Sequence, residues 1–509
     1  MYLMGVDCGL TISKVVIFSL DGKEIAASSV KPPVLRPKGG WIERDPENLW
    51  HHTAEAIRNA IGLAGIAPGE IACLAVTGHG NGVYCLDRNF LPTRNGILSM
   101  DVRASETVDL LNNQGIFYKT HPLTGNQIWA ASPPVLMRWI RDNEPEVYQK
   151  TRYISMVKDY IRYKLTGELS TDHTDFTGGA LADTSKVTYA REIFEAYGIP
   201  EVHGMVPPML DSWAIGGRLT RESSLETSLL QGTPVAVGGM DIGMTALGCG
   251  CINAGQMCII VGTWSINELI VEQPILVPDI LFTSTYCVPD RWLIMDGSAT
   301  SAANLDWFVD HFCLWEKIEA EKRGVSLFQI VDEEISSMGP DSCEIIFHPF
   351  LYGNNVQPTT RAGIYGLGGW HRRQDLLRAV FEGICFSHLN HVEKLRRVQH
   401  EKEAFIAGGG KRSDLWAQMF ADVLNTPIEI PEVNELGALG CAITSAVAVG
   451  LYPDHQAAVR NMCSVVKLKE PNSEANRIYM KKYSVYKILL DSMVPVWNHL
   501  YQMIQEIKG

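Results

Sequence analysis

One acidic residue, Asp241, lies where a strand pattern ends and a helical pattern begins. The apolar run Pro234–Val237 precedes it, the paired Gly238 and Gly239 end that run, and the helical pattern starts at Ile242. An acid at such a position can cap the helix by accepting backbone N–H bonds, or it can point into a cavity as a general base. The local pattern alone favours the cap, and the rest of the chain favours the base.

A tight turn near the N-terminus carries residue types that bind phosphate. The motif comprises Asp7, Gly9, Thr11 and Lys14, between a predicted strand from Tyr2 to Val6 and a second one after it. Glycine allows the backbone close to a phosphate, Thr11 can donate to its oxygens, and Asp7 can hold Mg²⁺ directly or through water. A plain hairpin also uses Asp and Gly, so this turn alone does not decide the function.

The second half of the chain opens in the same way. Gly262 and Thr263 form a turn between the predicted strands Met257–Val261 and Asn267–Val271. This turn could contact the same phosphates as the first one. The repeated pattern indicates an internal duplication, and two unrelated hairpins are the alternative.

A third glycine-rich segment, Ala407–Gly410, follows a predicted strand and precedes a helix. Open α/β sheets bind ligands at such positions, so Gly409 and Gly410 suit the adenosine or α-phosphate of a nucleotide. The segment is not a Walker A loop, because no Gly-Lys-Ser or Gly-Lys-Thr follows it at the proper spacing. No G-x-G-x-x-G opens a βαβ unit either, which disfavours a dinucleotide-dependent dehydrogenase.

These features together predict phosphoryl transfer, which needs positioning, charge neutralisation and one base for the acceptor hydroxyl. Asp241 is the predicted base. The candidates for binding a polyhydroxylated acceptor are His79, Asp101 and Arg103, although each could equally make a structural hydrogen bond. The sequence shows no metal-ligand spacing for His348, His371 and His388, so Mg²⁺ is the only metal predicted.

The elements that must position these residues alternate between strands and helices, which predicts an α/β fold. The sequence predicts a helix from Pro46 to about Ala64, a helical pattern from Pro133 to Gly167, and a loop from Phe347 to Arg361. A length of 509 residues predicts two domains, which we place at residues 1–247 and 248–509.

Composition excludes several classes of protein. With 46% hydrophobic and 20% charged residues, the chain resembles an ordinary globular protein, and a net charge of -13 argues against nucleic-acid or anionic-membrane partners. No apolar stretch approaches a membrane span. The twelve cysteines are scattered and the N-terminus lacks signal-peptide features, so we expect reduced thiols and a cytoplasmic protein.

Several motifs in the expected order resemble the FGGY family of carbohydrate kinases over nearly the whole chain. They are the Asp7-x-Gly9 turn, Gly40–Pro46, Gly239–Asp241, Gly262-Thr263, Gly363–Leu367 with Asp375–Gly383, and Gly408–Gly410 followed by Ser413, Trp416 and Gln418. The resemblance implies two actin-like, ribonuclease-H-like domains with an interdomain cleft that binds ATP and sugar. It implies that Asp241 is the base, that Asp7 is the Mg²⁺-associated acid, and that Thr11, Gly262 and Thr263 bind phosphate. It also implies that Gly409 and Gly410 form the adenosine loop.

Finer details are similar to the family's kinases of L-xylulose and 3-keto-L-gulonate, in the segments Ile97–Arg103, Gly262–Trp264 and Pro349–Gly353. The chain departs from many members in having Ile242 after the base, where Gln or Asn would add a hydrogen bond to the sugar. Ribulose, erythritol and glycerol are therefore alternative acceptors. A non-catalytic sugar or nucleotide sensor and an actin-like ATPase are the alternatives from other classes, and no residue decides between a monomer and a homodimer.

Overall fold

Strands and helices alternate along the chain, as the sequence predicts. The computed structural model describes residues 1–353 and 359–508, and within them the chain forms two compact units. Unit 1 comprises Met1–Ala254, Ile270–Ile294 and Val433–Ser464, and unit 2 comprises Gly255–Leu269, Met295–Glu432 and Val465–Gly509. Because the two units interleave along the chain, they do not test the predicted boundary after residue 247, which stays a prediction.

The elements have the following bounds. The strands are β1 (Tyr2–Cys8), β2 (Ser13–Phe18), β3 (Glu24–Val30), β4 (Glu43–Arg44), β5 (Ile71–Gly78), β6 (Tyr84–Leu86), β7 (Gly96–Ile97), β8 (Tyr153–Ser155), β9 (Thr171–Asp172), β10 (Met209–Leu210), β11 (Ile215–Arg218), β12 (Pro234–Ala236), β13 (Gln256–Val261), β14 (Ser265–Val271), β15 (Phe282–Thr285), β16 (Trp292–Ser298), β17 (Ile346–His348), β18 (Gly363–Tyr365), β19 (Glu403–Gly408), β20 (Ile428–Pro431) and β21 (Val465–Lys469). The α-helices are α1 (Pro46–Ala64), α2 (Ser105–Asn113), α3 (Ile116–Thr124), α4 (Pro133–Asn143), α5 (Pro145–Lys150), α6 (Val157–Thr166), α7 (His173–Gly178), α8 (Arg191–Ala196), α9 (Arg221–Thr227), α10 (Asp241–Cys249), α11 (Ala302–Phe312), α12 (Leu314–Arg323), α13 (Leu327–Ile335), α14 (Arg373–Arg396), α15 (Asp414–Leu424), α16 (Leu436–Ala448), α17 (His455–Met462) and α18 (Ser473–Lys508).

The main sheet of unit 1 has the strand order β11-β12-β5-β1-β2-β3. Strand β1 pairs antiparallel with β2 and parallel with β5, and β5 pairs parallel with β12. The inner strands are apolar and buried, as parallel strands covered on both faces must be. Because β1, β5 and β12 run parallel, their carboxyl ends meet at one edge of the sheet.

The sheet of unit 2 repeats this arrangement. The sheet has the strand order β15-β16-β14-β13-β19-β20-β21, and its six strands after β15 match β3-β2-β1-β5-β12-β11 position by position. The pairings also match: β13 is antiparallel to β14 and parallel to β19, β19 is parallel to β20, and β20 is antiparallel to β21. The predicted internal duplication is therefore confirmed, and it extends well beyond the two hairpins that indicated it.

Two sequence predictions need correction. The helical pattern from Pro133 to Gly167 is not one helical region, because α4 and α5 are followed by β8, which pairs with β6 before α6 begins. Pro145 cannot continue α4, since it lacks the N–H that the helix requires, and so it starts α5 instead. The predicted loop from Phe347 to Arg361 begins inside β17, and residues 354–358 of it lie outside the described residues.

Other predictions hold. All twelve cysteines are free thiols, and all but the half-buried Cys463 are buried, as expected for reduced core residues. Helix α1 has the predicted bounds, with Asp45 accepting from the N–H groups of Glu47 and Asn48 as its cap. Among the described residues, no helix is both long enough and apolar enough to cross a membrane.

Helix α16 packs against α10 and β1 at a distance that only glycine permits. A Cβ on Gly440 would overlap the carbonyl oxygen of Met244, and one on Gly5 would overlap that of Ala438. We expect Gly440→Ala to lower the free energy of unfolding by about 3 kcal/mol, because the backbone opposite cannot move aside cheaply. Gly62→Ala in α1 is the matched control: nothing lies within 4 Å of its Cβ position, so we expect a gain of about 0.5 kcal/mol. Urea unfolding of both variants checks this prediction, and a Gly440→Ala variant as stable as Gly62→Ala would contradict it.

Candidate active site

Three parallel strands of unit 1 bring the predicted acids and His79 to one edge of the sheet. Asp7 lies at the end of β1, His79 follows β5, and Asp241 begins the helix after β12. The backbone N–H of His79 donates to the carbonyl of Cys8 at 3.2 Å, and Gly78 forms a parallel bridge with Met240. The topology therefore places Asp7, His79 and Asp241 together, although more than 160 residues separate the last two in the sequence.

Asp241 is not a helix cap. The residue in the N-cap position is Met240, which makes no side-chain cap bond, and Asp241 is the first residue of α10. Its Oδ1 accepts a hydrogen bond from the N–H of Ile242 at 2.8 Å. Burial raises the pKa of Asp241 to about 6, while the N–H groups of Ile242 and Gly80 oppose that rise. Such a carboxylate is ionised at neutral pH and has a higher proton affinity than an ordinary aspartate, which suits a general base.

Asp7 is a carboxylate with unused lone pairs. Burial, the charge of Asp241 and the charge of Glu435 raise its pKa to about 7, against the opposing charge of Lys14. None of the described residues donates a hydrogen bond to it, so its oxygens are available to a hard cation. The described residues contain no cluster of three or more metal-ligand side chains. A single free carboxylate fits Mg²⁺, which is usually held by one or two carboxylates together with substrate phosphates and water.

The turn between β1 and β2 differs in detail from the sequence expectation. Thr11 is exposed at the turn, but Lys14 lies within β2 and its Nζ contacts Glu435 at 2.7 Å, so part of its charge is already neutralised. Sequence reasoning missed Arg44, a fully buried residue whose guanidinium donates to the carbonyls of Gly9 and Leu10. No carboxylate among the described residues pairs with Arg44. It therefore fixes the backbone of this turn and adds positive charge beneath it.

The predicted acceptor residues lie in neighbouring segments of unit 1. The Nδ1 of His79 is 3.4 Å from the hydroxyl of Ser99. Burial lowers the pKa of His79 to about 3, and the charge of Arg44 contributes, so the imidazole is neutral at physiological pH. Among the buried polar atoms of the described chain that have no hydrogen-bond partner, three belong to these segments: Nε2 of His79, Oδ1 of Asn81 and Nη1 of Arg103. Unpaired polar atoms at this depth are costly unless a ligand satisfies them.

The side chain of Asp101 holds the guanidinium of Arg103 in place. Its carboxylate accepts from the N–H of Ile42 at 2.6 Å and from the backbone N–H, Nε and Nη2 of Arg103 at 2.8–2.9 Å. The guanidinium of Arg103 also contacts Glu43 at 2.8 Å and lies 4.0 Å from the ring centroid of Trp41. The structure therefore holds Arg103 in one orientation, and Asp101 has little remaining capacity to accept a bond from a ligand.

In unit 2, the turn of Gly262 and Thr263 connects β13 to β14. The carbonyls of Gly262 and Thr263 accept from the N–H groups of Ala302 and Ser301 at 2.9 and 3.0 Å. Apart from its chain neighbours, the nearest atom of the described residues to a Cβ placed on Gly262 would be the carbonyl oxygen of Trp264, at 3.9 Å, so this side of the turn has room for a ligand. The turn has the open backbone that phosphate binding requires.

Sequence reasoning also missed what supports this turn. The hydroxyl of Ser301 is 2.9 Å from Nε2 of His388, and Nδ1 of the same ring is 2.8 Å from Oδ1 of Asn267. All three side chains are fully buried, and burial holds the pKa of His388 well below its ordinary value. His388 is thus a neutral core residue that fixes Ser301. Its position on a helix far along the chain left no local signal in the sequence.

The glycine-rich segment also lies in unit 2. Strand β19 ends at Gly408, a short 3-10 helix spans Gly409–Arg412, and Ser413 caps α15 by accepting from the N–H of Trp416 at 3.0 Å. Within the described part of the chain, a Cβ on Gly409 would meet only the carbonyl oxygen of Val261, at 3.7 Å. An open backbone before a helix N-terminus is a suitable place for a nucleotide. The roles of these residues, like those of the acids in unit 1, stay predictions.

Comparison with known proteins agrees with this arrangement. The FGGY family of carbohydrate kinases matches with its N-terminal domain over residues 2–248 and with its C-terminal domain over residues 257–449. The chain is 31% identical to the L-xylulose/3-keto-L-gulonate kinase of Escherichia coli, over 97% of each chain. It is 26% identical to the xylulose kinase of Bacillus subtilis, over 100% of this chain and 99% of that one.

Solved structures show the same fold. The ligand-bound xylulose kinase from Lactobacillus acidophilus superposes with a TM-score of 0.89 at 21% identity, over 98% of this chain and 99% of that one. The α/β architecture with two sheet-containing domains is therefore the actin-like fold of these kinases. Because both domain matches together span most of the sequence, this chain belongs to the FGGY family of carbohydrate kinases and is a sugar phosphotransferase.

Proposed function

We propose that this kinase transfers the γ-phosphoryl group of ATP to a hydroxyl of a ketopentose of the xylulose type, with Asp241 as the general base. The names of its relatives, L-xylulose/3-keto-L-gulonate kinase and xylulose kinase, support this class of acceptor. ATP is the phosphate donor of the family's kinases.

One observation carries the proposal. The carboxylate of Asp241 has a raised pKa and lies beside the segment of His79 and Asn81, which presents buried polar atoms without partners. The N–H of Gly80 in that segment bonds to Asp241 itself. A polyhydroxylated acceptor would satisfy these atoms and bring one hydroxyl to the base. A structural role for Asp241 alone would not account for the unpaired atoms around it.

The proposed roles follow from the geometry of each unit. In unit 1, Asp241 accepts the proton of the acceptor hydroxyl, His79 and Arg103 orient the acceptor, and Asp101 orients Arg103. Asp7 is the residue that would hold Mg²⁺, which when bound neutralises phosphate charge. In unit 2, the Gly262 and Thr263 turn is proposed to bind the nucleotide phosphates.

The remaining roles belong to residues in or next to turns. Thr11 is proposed to bind phosphate through its exposed hydroxyl, Lys14 contributes positive charge, and Gly409 and Gly410 contact the adenosine. We also propose that residues 1–247 form the acceptor-binding domain and residues 248–509 the nucleotide-binding domain. The extents of the two family matches support that division.

The charges around the acceptor residues favour a neutral sugar. Arg103 pairs with both Asp101 and Glu43, and Arg94 also pairs with Glu43. The guanidinium charge of Arg103 is thus balanced, and its Nη1 has no hydrogen-bond partner among the described residues. We therefore place a neutral ketopentose ahead of 3-keto-L-gulonate, whose carboxylate would need a cation.

The test is ADP release from Mg-ATP across a panel of acceptors. We expect turnover with L-xylulose or D-xylulose, and a lower kcat/KM for 3-keto-L-gulonate, ribulose, erythritol and glycerol. Turnover confined to a sugar acid or a polyol would overturn the choice of acceptor but leave the kinase intact. ADP release without any acceptor would indicate an ATPase, and nucleotide or sugar binding without turnover would indicate a sensor.

A further inference from the structure

Threonine hydroxyls hold both sides of the peptide bond between Gly239 and Met240, which lies just before Asp241. The hydroxyl of Thr77, at the end of β5, donates to the carbonyl of Gly239 at 2.7 Å. The N–H of Met240, in the same peptide unit, donates to the hydroxyl of Thr174 in α7 at 2.9 Å. Both polar groups of this peptide unit therefore bond to a threonine side chain, in addition to the parallel bridge that Met240 forms with Gly78.

The turn that contains this peptide is built from glycine for steric reasons. Gly238 has a φ of +74°, and a Cβ on it would overlap the carbonyl oxygen of Val76. A Cβ on Gly239 would lie 2.6 Å from Cε of Met244 and 3.0 Å from the hydroxyl of Thr174. Two consecutive glycines leave the backbone free to adopt several conformations. Contacts from outside the turn must therefore select one of them.

Thr174 is itself fixed by a buried charge network. Its hydroxyl donates to Oδ2 of Asp172 at 2.6 Å, and the hydroxyl of Ser212 donates to the same oxygen at 2.9 Å. Oδ1 of Asp172 lies 3.0 Å from Nζ of Lys158, and the side chains of Lys158 and Asp172 are fully buried. The carbonyl of Ser212 also accepts from the N–H of Gly238 at 2.9 Å.

The hydroxyl of Thr174 both donates and accepts a hydrogen bond in this network. Because the hydroxyl donates to Asp172, its lone pairs face the N–H of Met240. Burial alone would raise the pKa of Asp172, but Lys158 and the hydroxyl of Thr174 hold that pKa below its ordinary value. The carboxylate therefore stays ionised and keeps the hydroxyl of Thr174 in the accepting orientation.

We propose that Thr77 and Thr174 form a two-threonine clamp that positions the base, by fixing the Gly239–Met240 peptide unit, which is one residue before Asp241. The inference rests on the proposed function of Asp241. The two threonines are positioning residues, because both are buried and their hydroxyls bond to the backbone just before Asp241. A displaced base loses the alignment that proton transfer needs, and a shift of 1 Å can lower a rate by about a hundredfold.

The test replaces each threonine by valine, which keeps the shape and removes the hydroxyl, and by serine, which keeps the hydroxyl. The accepted sugar and Mg-ATP are used, and kcat, both KM values and the unfolding temperature are measured. We expect Thr174→Val and Thr77→Val to lower kcat by roughly tenfold or more, with the KM for ATP unchanged. Serine should restore most of the lost kcat. If one valine variant does not fold, the other carries the test, because the two threonines hold opposite sides of the same peptide.

A double-mutant cycle separates positioning from general structural damage. Each valine variant is also made in an Asp241→Asn background, where no base remains to be positioned. We expect the valine change to alter the residual rate there by less than about twofold. An equal fractional loss in both backgrounds, or no loss in the valine variants alone, would overturn the clamp. Full activity of the Asp241→Asn variant would overturn both the base assignment and the clamp. This outcome is detected without the threonine variants, so it is distinguishable from failure of the clamp alone.

Discussion

Replacing Asp241 by asparagine should lower kcat by roughly a thousandfold, with the KM for ATP changed by less than about threefold. Asparagine has nearly the same shape, and its Oδ1 can still accept from the N–H of Ile242. It cannot accept the proton of the acceptor hydroxyl. A thousandfold loss corresponds to about 4 kcal/mol of transition-state stabilisation. The measurement is steady-state ADP release with the accepted sugar, together with nucleotide binding by calorimetry.

Asp211→Asn is the matched control, because Asp211 is an exposed aspartate of the same unit whose carboxylate is 3.4 Å from the ring of His173. It should retain at least about half of the activity, since exposed ion pairs contribute little. An Asp241→Asn variant within tenfold of the wild-type kcat would contradict the base assignment. A loss of nucleotide binding in that variant would show that the substitution acts beyond proton transfer.

The pH profile gives a second readout of the same residue. Burial raises the pKa of Asp241 to about 6, and a base works only when it is deprotonated. The rate should therefore increase as the pH rises through about 6. Below that pH the rate should be low, because the carboxylate is protonated. Saturating Mg²⁺ keeps the neighbouring Asp7 ionised, because a bound cation favours the charged form. In Asp241→Asn this acidic limb should disappear from the residual activity.

The fold was predictable where one segment determines its own structure. Helix α1 has a capping aspartate and a proline at its first position, and its observed bounds match the prediction. The turns after β1 and β13 were predicted because each is a glycine-containing segment between two apolar strand patterns. The strand β8 was missed because three residues become a strand only by pairing with β6, which no local pattern reports.

The candidate site was only partly predictable for the same reason. Asp7, His79 and Asp241 each carry a chemical signal in sequence, and the parallel order of β1, β5 and β12 explains why they meet. Arg44 lies within the Gly40–Pro46 motif, but its role was not predictable because it depends on contacts with Gly9 and Leu10. The role of His388 depends in the same way on a distant residue, Ser301. The local sequence pattern alone favoured a helix cap at Asp241. That interpretation was wrong, because Met240 occupies the N-cap position and Asp241 is the first residue of the helix.

Replacing Asp7 by asparagine should lower kcat/KM for Mg-ATP by roughly a hundredfold, because the variant loses the charge that a divalent cation requires. The carboxylate of Asp7 receives no hydrogen bond from the described residues, so the change removes little internal support. Asparagine also relieves the repulsion between Asp7 and Asp241, so stability should not fall. We therefore expect an unchanged or raised unfolding temperature, together with a higher Mg²⁺ concentration at half-maximal activity.

Glu435→Gln is the control for this prediction. Glu435 also raises the pKa of Asp7 through its charge, but its carboxylate is paired with Lys14 at 2.7 Å and is not proposed to hold the cation. The Glu435→Gln substitution therefore removes one negative charge near the site, as Asp7→Asn does, but it leaves the proposed Mg²⁺ ligand in place. If the Mg²⁺ requirement depends on Asp7 as a ligand, only Asp7→Asn should raise it. Equal shifts in both variants would mean that the site responds to net charge alone, and Asp7 would then lose its assignment as the magnesium residue.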